Sequence, residues 1–269
     1  MRLLRVGRIS ALNMYPIYHG LERAADPTLA FTDGVPSELN RALIEGRLDV
    51  SAMSSIAYAR NADRLSLVPV ASITAGGAVD SIQLFSRVPF DEVSTVAVTP
   101  HSETSVALLR VLLGPAAAPF TTLATAPAEA LETVDGVLLI GDEALCGLRD
   151  PFAPFRTDLG GLWRERTGQP MVFAVWAAGA AVARERAEAL AAFAALLSEA
   201  RTAYLADPEA VVAAAAARFP FPAEFIRPYL RRLRYEFGPA ERRGLETFLE
   251  QARACGELDV VPRLAAHAA

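Results

Sequence analysis

The stretch GVPSELNRALIEGRLDVSAMSSIAYAR (residues 34–60) decides the fold class. Pro36 suits the first turn of a helix, Leu39, Leu43 and Ile44 recur at helical spacing, and Gly46 stands where a left-handed cap would end it. A short run at 48–53 then reads as a strand, and Ser54-Ser55 ahead of Ile56 and Tyr58 opens another helix. Strand candidates at 4–9 and 29–32 precede this stretch. The alternation predicts an α/β fold with a largely parallel sheet. Downstream, DSIQLFSR (80–87) reads as a strand that leads into a second series: a strand at 95–98, a helix over 103–113, a strand at 137–140 and a helix after Asp142. MVFAVWA (171–177) is apolar throughout and reads as a buried strand. From 180 to 255 only helix is expected, in four stretches broken at Asp207-Pro208, Pro220-Phe221-Pro222 and Gly238-Pro239.

This pattern predicts two α/β lobes. Residues 1–87 with 177–269 would form lobe one, residues 88–176 lobe two, and two crossing strands near Leu84-Phe85 and 174–176 a hinge. In such folds ligands bind between the lobes, at loops leaving the carboxyl ends of strands.

A chain of 269 residues buries roughly 75% of its unfolded surface without staples. Its 26 basic residues are all arginine, which excludes Schiff-base, pyridoxal phosphate and P-loop lysine chemistry. A net charge of -5 argues against a nucleic-acid partner. Cys146, Cys255, His19, His101 and His267 show no metal-ligand spacing, so no metal site is expected. Arg2, Arg5 and Arg8 interrupt any secretory signal, and the apolar run 171–183 is shorter than the about 20 residues of a membrane span. A cytoplasmic protein without a membrane partner, monomeric or homodimeric, is expected.

Hydroxyl and amide groups gather where the strand-end loops should be: Ser10 to Asn13, Ser54 with Ser55, Ser81, and Ser102, Thr104 and Ser105. At helix N-termini such groups cradle carboxylates or phosphates. Each also has a plainer explanation. Ser102 and Ser54-Ser55 are ordinary helix caps, Asn13 suits a turn in which it bonds its own backbone, and Ser81 suits a strand hydroxyl bonded to a neighbouring carbonyl. His101 is either a general base or a surface histidine. Asp142 in IGDEAL most simply caps its helix, and Gly141 would let a ligand approach closely. Cys146 suits a small buried hydrophobe. Neither a G-x-S-x-G elbow nor a G-x-G-x-x-G loop occurs. The residues alone therefore imply a two-lobed, anion-accepting, cofactor-free cleft and do not choose between a solute-binding module and an enzyme.

Longer stretches resemble one family, the chorismate dehydratases of the futalosine route to menaquinone. They are VGRISALN (6–13), residues 34–60, VDSIQLFSRVP (79–89), ETSVALLRVLL (103–113), GVLLIGDEAL (136–145) and TDLGGLWRERTGQPMVFAVWA (157–177). The resemblance implies a fold like the type II periplasmic binding proteins. It also implies elimination of water from chorismate to give 3-[(1-carboxyvinyl)oxy]benzoate, with no metal or organic cofactor. By position, Asn13 and Ser81 would face the substrate as the catalytic pair. Ser54, Ser55, Thr104 and Ser105 would hold its carboxylates, with Ser10, Ser102, Gly141 and Asp142 completing the binding set. The sequence departs from the family at Ala11, commonly Tyr, and Met14, commonly Thr. The sister enzyme that makes 1,4-dihydroxy-6-naphthoate opens with a Ser-Pro-Cys-Pro-Asn-Asp type motif that is missing here. An exported binding module would want a signal or lipobox cysteine, and a ligand-sensing regulator a DNA-reading helix pair.

Overall fold

A computed structural model describes residues 3–115 and 117–264. In chain order the first part holds β1 (Leu4–Ile9), a 3-10 turn (Leu12–Met14), α1 (Tyr15–Ala24), β2 (Leu29–Gly34), α2 (Pro36–Ile44), β3 (Val50–Ser54), α3 (Ser55–Arg60) and β4 (Leu65–Ala75). The middle holds β5 (Ile82–Ser86), β6 (Val96–Val98), α4 (Glu103–Leu113), β7 (Thr121–Thr122), α5 (Pro127–Ala130), β8 (Gly136–Ile140), α6 (Gly141–Arg149), β9 (Phe155–Asp158) and α7 (Leu159–Thr167). The chain then runs through β10 (Met171–Gly179), α8 (Ala180–Glu185), α9 (Ala187–Ala206), α10 (Pro208–Ala216), α11 (Ala223–Arg232), β11 (Leu233–Arg234) and α12 (Pro239–Ala254).

Two sheets result, one per lobe, ordered β11-β4-β10-β3-β1-β2 and β7-β6-β8-β5-β9. Both are mixed rather than largely parallel. Strand β10 runs antiparallel to β3 and β4, and β5 runs antiparallel to β8 and β9, while β1, β2 and β3 and likewise β6, β7 and β8 keep the parallel pairing of crossover units.

Sheet membership moves the expected crossings. Strand β5 pairs wholly within the second sheet and β10 wholly within the first. The chain therefore changes sheets before β5, in the loop that starts at Gly76-Gly77, and again between β9 and β10. Composition did not reveal this, because β5 is buried along its whole length and so reads alike in either sheet. The pleat sends Leu84 into the large core and Phe85 into a smaller cluster with Val137 and Leu139.

The longest strand, β4, was not legible, because Pro69 argues against a paired strand. The structure accommodates it at an irregularity. The pairing with β10 jumps from Val175↔Ser72 to Ala177↔Leu67, which leaves Pro69 outside the ladder. The helical tail also differs in detail. Its first stretch breaks at Arg186 into α8 and α9, and the short β11 joins the edge of β4. Helix α9 is long and apolar enough in composition to cross a membrane, yet it packs Leu190, Phe193, Leu197 and Tyr204 into the first lobe's core.

Candidate active site

The N-terminal ends of α2, α3, α4 and α6 and the turn after β1 converge on one cavity between the sheets, of about 230 Å³. Of the expected residues it is lined by Ser10, Asn13, Ser54, Ser81, Ser102, Thr104, Ser105, Gly141 and Asp142, together with His101. Ser55 is not brought in. Its hydroxyl donates to the Val172 carbonyl at 2.7 Å and so ties α3 to β10. The apolar walls, Ile9, Ile73, Ile82, Ile140 and Phe173, come from β1, β4, β5, β8 and β10, and nothing in their residue types separates them from core. The two departures from the family pattern, Ala11 and Met14, both face this space.

The plainer explanations fare differently from residue to residue. Ser102 is an N-cap, accepting from the Ser105 N–H at 3.2 Å while the two hydroxyls stand 2.9 Å apart. Ser54 precedes α3 without a side-chain cap bond, and its N–H donates to Asn40 Oδ1 at 3.2 Å. Asp142 does not cap its own helix. Its Oδ1 instead accepts from the Leu12 N–H at 3.2 Å, across the cleft. Burial pushes the Asp142 carboxyl above its ordinary pKa, and the Leu12 bond offsets this only in part. Gly141, at a φ of +57°, donates its N–H to the Ser81 carbonyl at 2.7 Å, a left-handed turn suited to glycine. The Ser81 hydroxyl reaches only its neighbour Val79, at 3.4 Å.

Asn13 differs most from the turn reading. Its Oδ1 is buried without any hydrogen-bond partner. Its backbone carbonyl is held by the Tyr235 hydroxyl at 2.8 Å, so the chain fixes the residue and leaves the amide oxygen unused. A buried unpaired polar atom on a ligand cavity marks a place where a ligand group belongs.

Sequence reasoning missed Asn40, Glu103 and Arg60 among the groups that join the lobes. Asn40 is almost fully buried and donates Nδ2 to Glu103 Oε1 at 2.9 Å, while Thr104 Oγ1 accepts from the Ile56 N–H at 3.3 Å. Arg60 reaches both Glu103 and Glu257. Among the described residues no arginine lines the cavity, where Asp142 and Glu143 are the acidic groups. An anion in this cavity would meet neutral hydroxyls, amides and helix N-termini. Among the described residues no group of three or more His, Cys, Asp or Glu is placed to hold a metal ion, and His267 lies outside them.

A family model described as menaquinone biosynthesis matches residues 4–254. A chorismate dehydratase of Thermus thermophilus is 36% identical over 266 residues, covering 93% of this chain and 95% of its own. Among solved structures, an Archaeoglobus fulgidus protein superposes with a TM-score of 0.75 at 17% identity, over 94% of this chain and 98% of its own. A Candida albicans protein described as having the generic periplasmic binding protein fold gives 0.70 at 10% identity, over 98% and 93%. The structural likenesses identify the two-lobed fold, and the sequence match, which runs through the cavity loops and most of the tail, makes this chain a member of the menaquinone biosynthesis family.

Proposed function

We propose that the protein is a chorismate dehydratase, a carbon–oxygen lyase that converts chorismate to 3-[(1-carboxyvinyl)oxy]benzoate and water in menaquinone biosynthesis. The observation that carries this reading is the unpartnered Asn13 amide oxygen in a cavity lined by serine and threonine hydroxyls, in a chain 36% identical over 93% of its length to the Thermus enzyme. The cavity falls below the about 300–1,000 Å³ of drug-sized ligand pockets, which suits a single-ring substrate.

Elimination removes the ring hydrogen on the carbon that bears the ether oxygen, together with the neighbouring hydroxyl. The proton passes to the enolpyruvyl carboxylate of the substrate itself, the electron pair moves into the ring, and the hydroxyl leaves as water with that same proton, delivered to it by the new carboxylic acid. The product ring is aromatic, so the driving force belongs to the substrate and the enzyme's work is orientation. Hydrogen bonds to a charged carboxylate contribute about 1.5–3 kcal/mol each. Proximity supplies about 7–11 kcal/mol. Ser54, Thr104 and Ser105 hold the carboxylates, Ser81 and Asn13 face the reacting edge, and Asn13 assists departure of the hydroxyl by accepting its hydrogen at the free Oδ1 and so orienting it. The bonds from Leu12 to Asp142 and from Ile56 to Thr104 keep the lobes together and limit water in the cavity. The proposal includes a cytoplasmic location and catalysis without a bound cofactor.

Incubation of the purified protein with chorismate alone, followed by mass spectrometry, is expected to yield the product lighter by one water. Unchanged chorismate in the presence of folded protein would move the reading to a small-anion binding module.

Asp142 gives this reaction a pH signature. Its ionised form repels a dicarboxylate, its neutral form does not, and its pKa is raised by burial. Affinity for product is therefore expected to rise as pH falls from neutral through that raised value. Asp142→Asn, which keeps an acceptor for Leu12, is expected to flatten this part of the profile; calorimetric titrations with the same slope in both proteins would count against the assignment.

A further inference from the structure

The wall that carries Ser81 is backed by α11, a helix to which the sequence reading gave no role. Tyr229 and Arg232 lie three residues apart on one face of α11 and meet the consecutive residues Ser81 and Asp80. Arg232 Nε stands 2.8 Å from Asp80 Oδ2, and Asp80 holds a left-handed φ of +59°. Such a conformation persists only where its surroundings over-determine it. The Tyr229 side chain is 2% exposed. Its hydroxyl lies close enough to that of Ser81 for Ser81 to pull its pKa down, yet it meets no partner in hydrogen-bond geometry. Burial holds the phenol far above its ordinary pKa, with Asp142, Asp80 and Asp158 pushing the same way and Ser81 opposing, so at neutral pH it is a donor. Ser81, for its part, gives its hydrogen to Val79 at 3.4 Å, near the limit of a hydrogen bond. A buried donor without an acceptor, next to a weakly engaged hydroxyl on a ligand cavity, forms a relay that a third group completes.

We propose that Tyr229 is a positioning residue for Ser81. With substrate in the cleft, Ser81 turns its hydrogen from the Val79 carbonyl to a substrate carboxylate oxygen, and its own oxygen accepts the hydrogen of Tyr229. The inference rests on the dehydratase reading and deepens it, by assigning the tail a part in the site.

The test is a cycle of Tyr229→Phe, Ser81→Ala and the double variant, assayed with chorismate beside wild type. Tyr229→Phe removes a buried hydroxyl that makes no well-formed hydrogen bond in the ligand-free protein, so its melting temperature is expected to equal or exceed that of wild type. Its kcat is expected to fall about tenfold with KM within about twofold. In the Ser81→Ala background the same change is expected to alter kcat by less than about twofold. An unchanged kcat for Tyr229→Phe, an equal fall in both backgrounds, or an effect confined to melting overturns the positioning role. Absence of turnover by folded wild type removes the dehydratase reading and this inference with it, whereas normal wild-type turnover with an unaffected Tyr229→Phe removes this inference alone.

Discussion

Asn13→Ala is expected to lower kcat with chorismate by about a hundredfold, the range found when one preorganised hydrogen-bonding group is removed from a reacting centre. The same variant is expected to melt at or slightly above the wild-type temperature. Both expectations come from one observation. The Asn13 Oδ1 is buried and unpartnered, so truncation breaks no hydrogen bond of that oxygen in the ligand-free protein. It also removes a desolvated polar atom whose burial costs about 1–3 kcal/mol. The Tyr235 bond is made to the backbone carbonyl and survives the substitution. Ser81→Ala is expected to lose less, about tenfold to a hundredfold, because one hydroxyl offers a single donor to the carboxylate. Loss of chorismate is followed by chromatography and unfolding by circular dichroism. Turnover within about twofold of wild type for Asn13→Ala would remove its role, since an interaction made in the transition state has to appear in kcat. A large fall in melting temperature would show instead that the amide is structural.

What the sequence made legible was local. Pro36 and Gly46 bracket α2, and Gly46 takes the left-handed φ of +72° that a helix stop requires. Ser102 caps α4 as its type and spacing suggest. The hydroxyl clusters fall at strand ends because parallel units put loops there, and all but Ser55 reach the cavity. Ser54 and Ser55 are indistinguishable in sequence, yet adjacent residues at a strand-to-helix junction point in different directions, one to the cleft and one to β10. Partners distant along the chain were out of reach. Tyr235 and Asn13 lie 222 residues apart, and Asp142 and Leu12 lie 130 apart. No periodicity or cap rule carries such a pairing, which exists only once two crossings bring the tail and the second sheet against the turn after β1. Asp142 shows the consequence most directly. Its local role would be to cap α6, and the tertiary structure uses its carboxylate at the start of another helical turn, in the opposite lobe.

The second large effect concerns stability and lies away from the cavity. Asp49, 2% exposed, sits just before β3 and gathers charges from three parts of the first lobe. Its carboxylate accepts from the Arg5 N–H at 2.8 Å, from the Arg5 guanidinium at 2.6 Å and from Arg186 at 3.0 Å. It thereby pins β1, the start of β3 and the junction of α8 with α9. Burial opposes the ionised form, but the hydrogen bonds from Arg5 and the charges of Arg5 and Arg186 outweigh it and hold the pKa below the usual carboxylate value. Removing the buried carboxylate leaves two partly exposed cations and the Arg5 N–H without this acceptor and costs about 3 kcal/mol, the lower end of the range for a buried pair. Asp49→Ala is therefore expected to lower the melting temperature by about 10 °C in a chain of this size. The sign with pH follows from the depressed folded value. The contribution is fully present above the unfolded pKa of about 3.9 and disappears as pH falls through the lower folded one. The gap between wild type and Asp49→Ala should thus be constant from neutrality down to about pH 4 and narrow below it. Thermal melts across that range decide the matter: an unchanged melting temperature at neutral pH, or a gap that widens in acid, would show that Asp49 contributes no net ion-pair stabilisation. The kcat of the variant at temperatures where it remains folded should stay near that of wild type, which separates the residue that holds the first lobe together from Asn13, which the lobe holds in place.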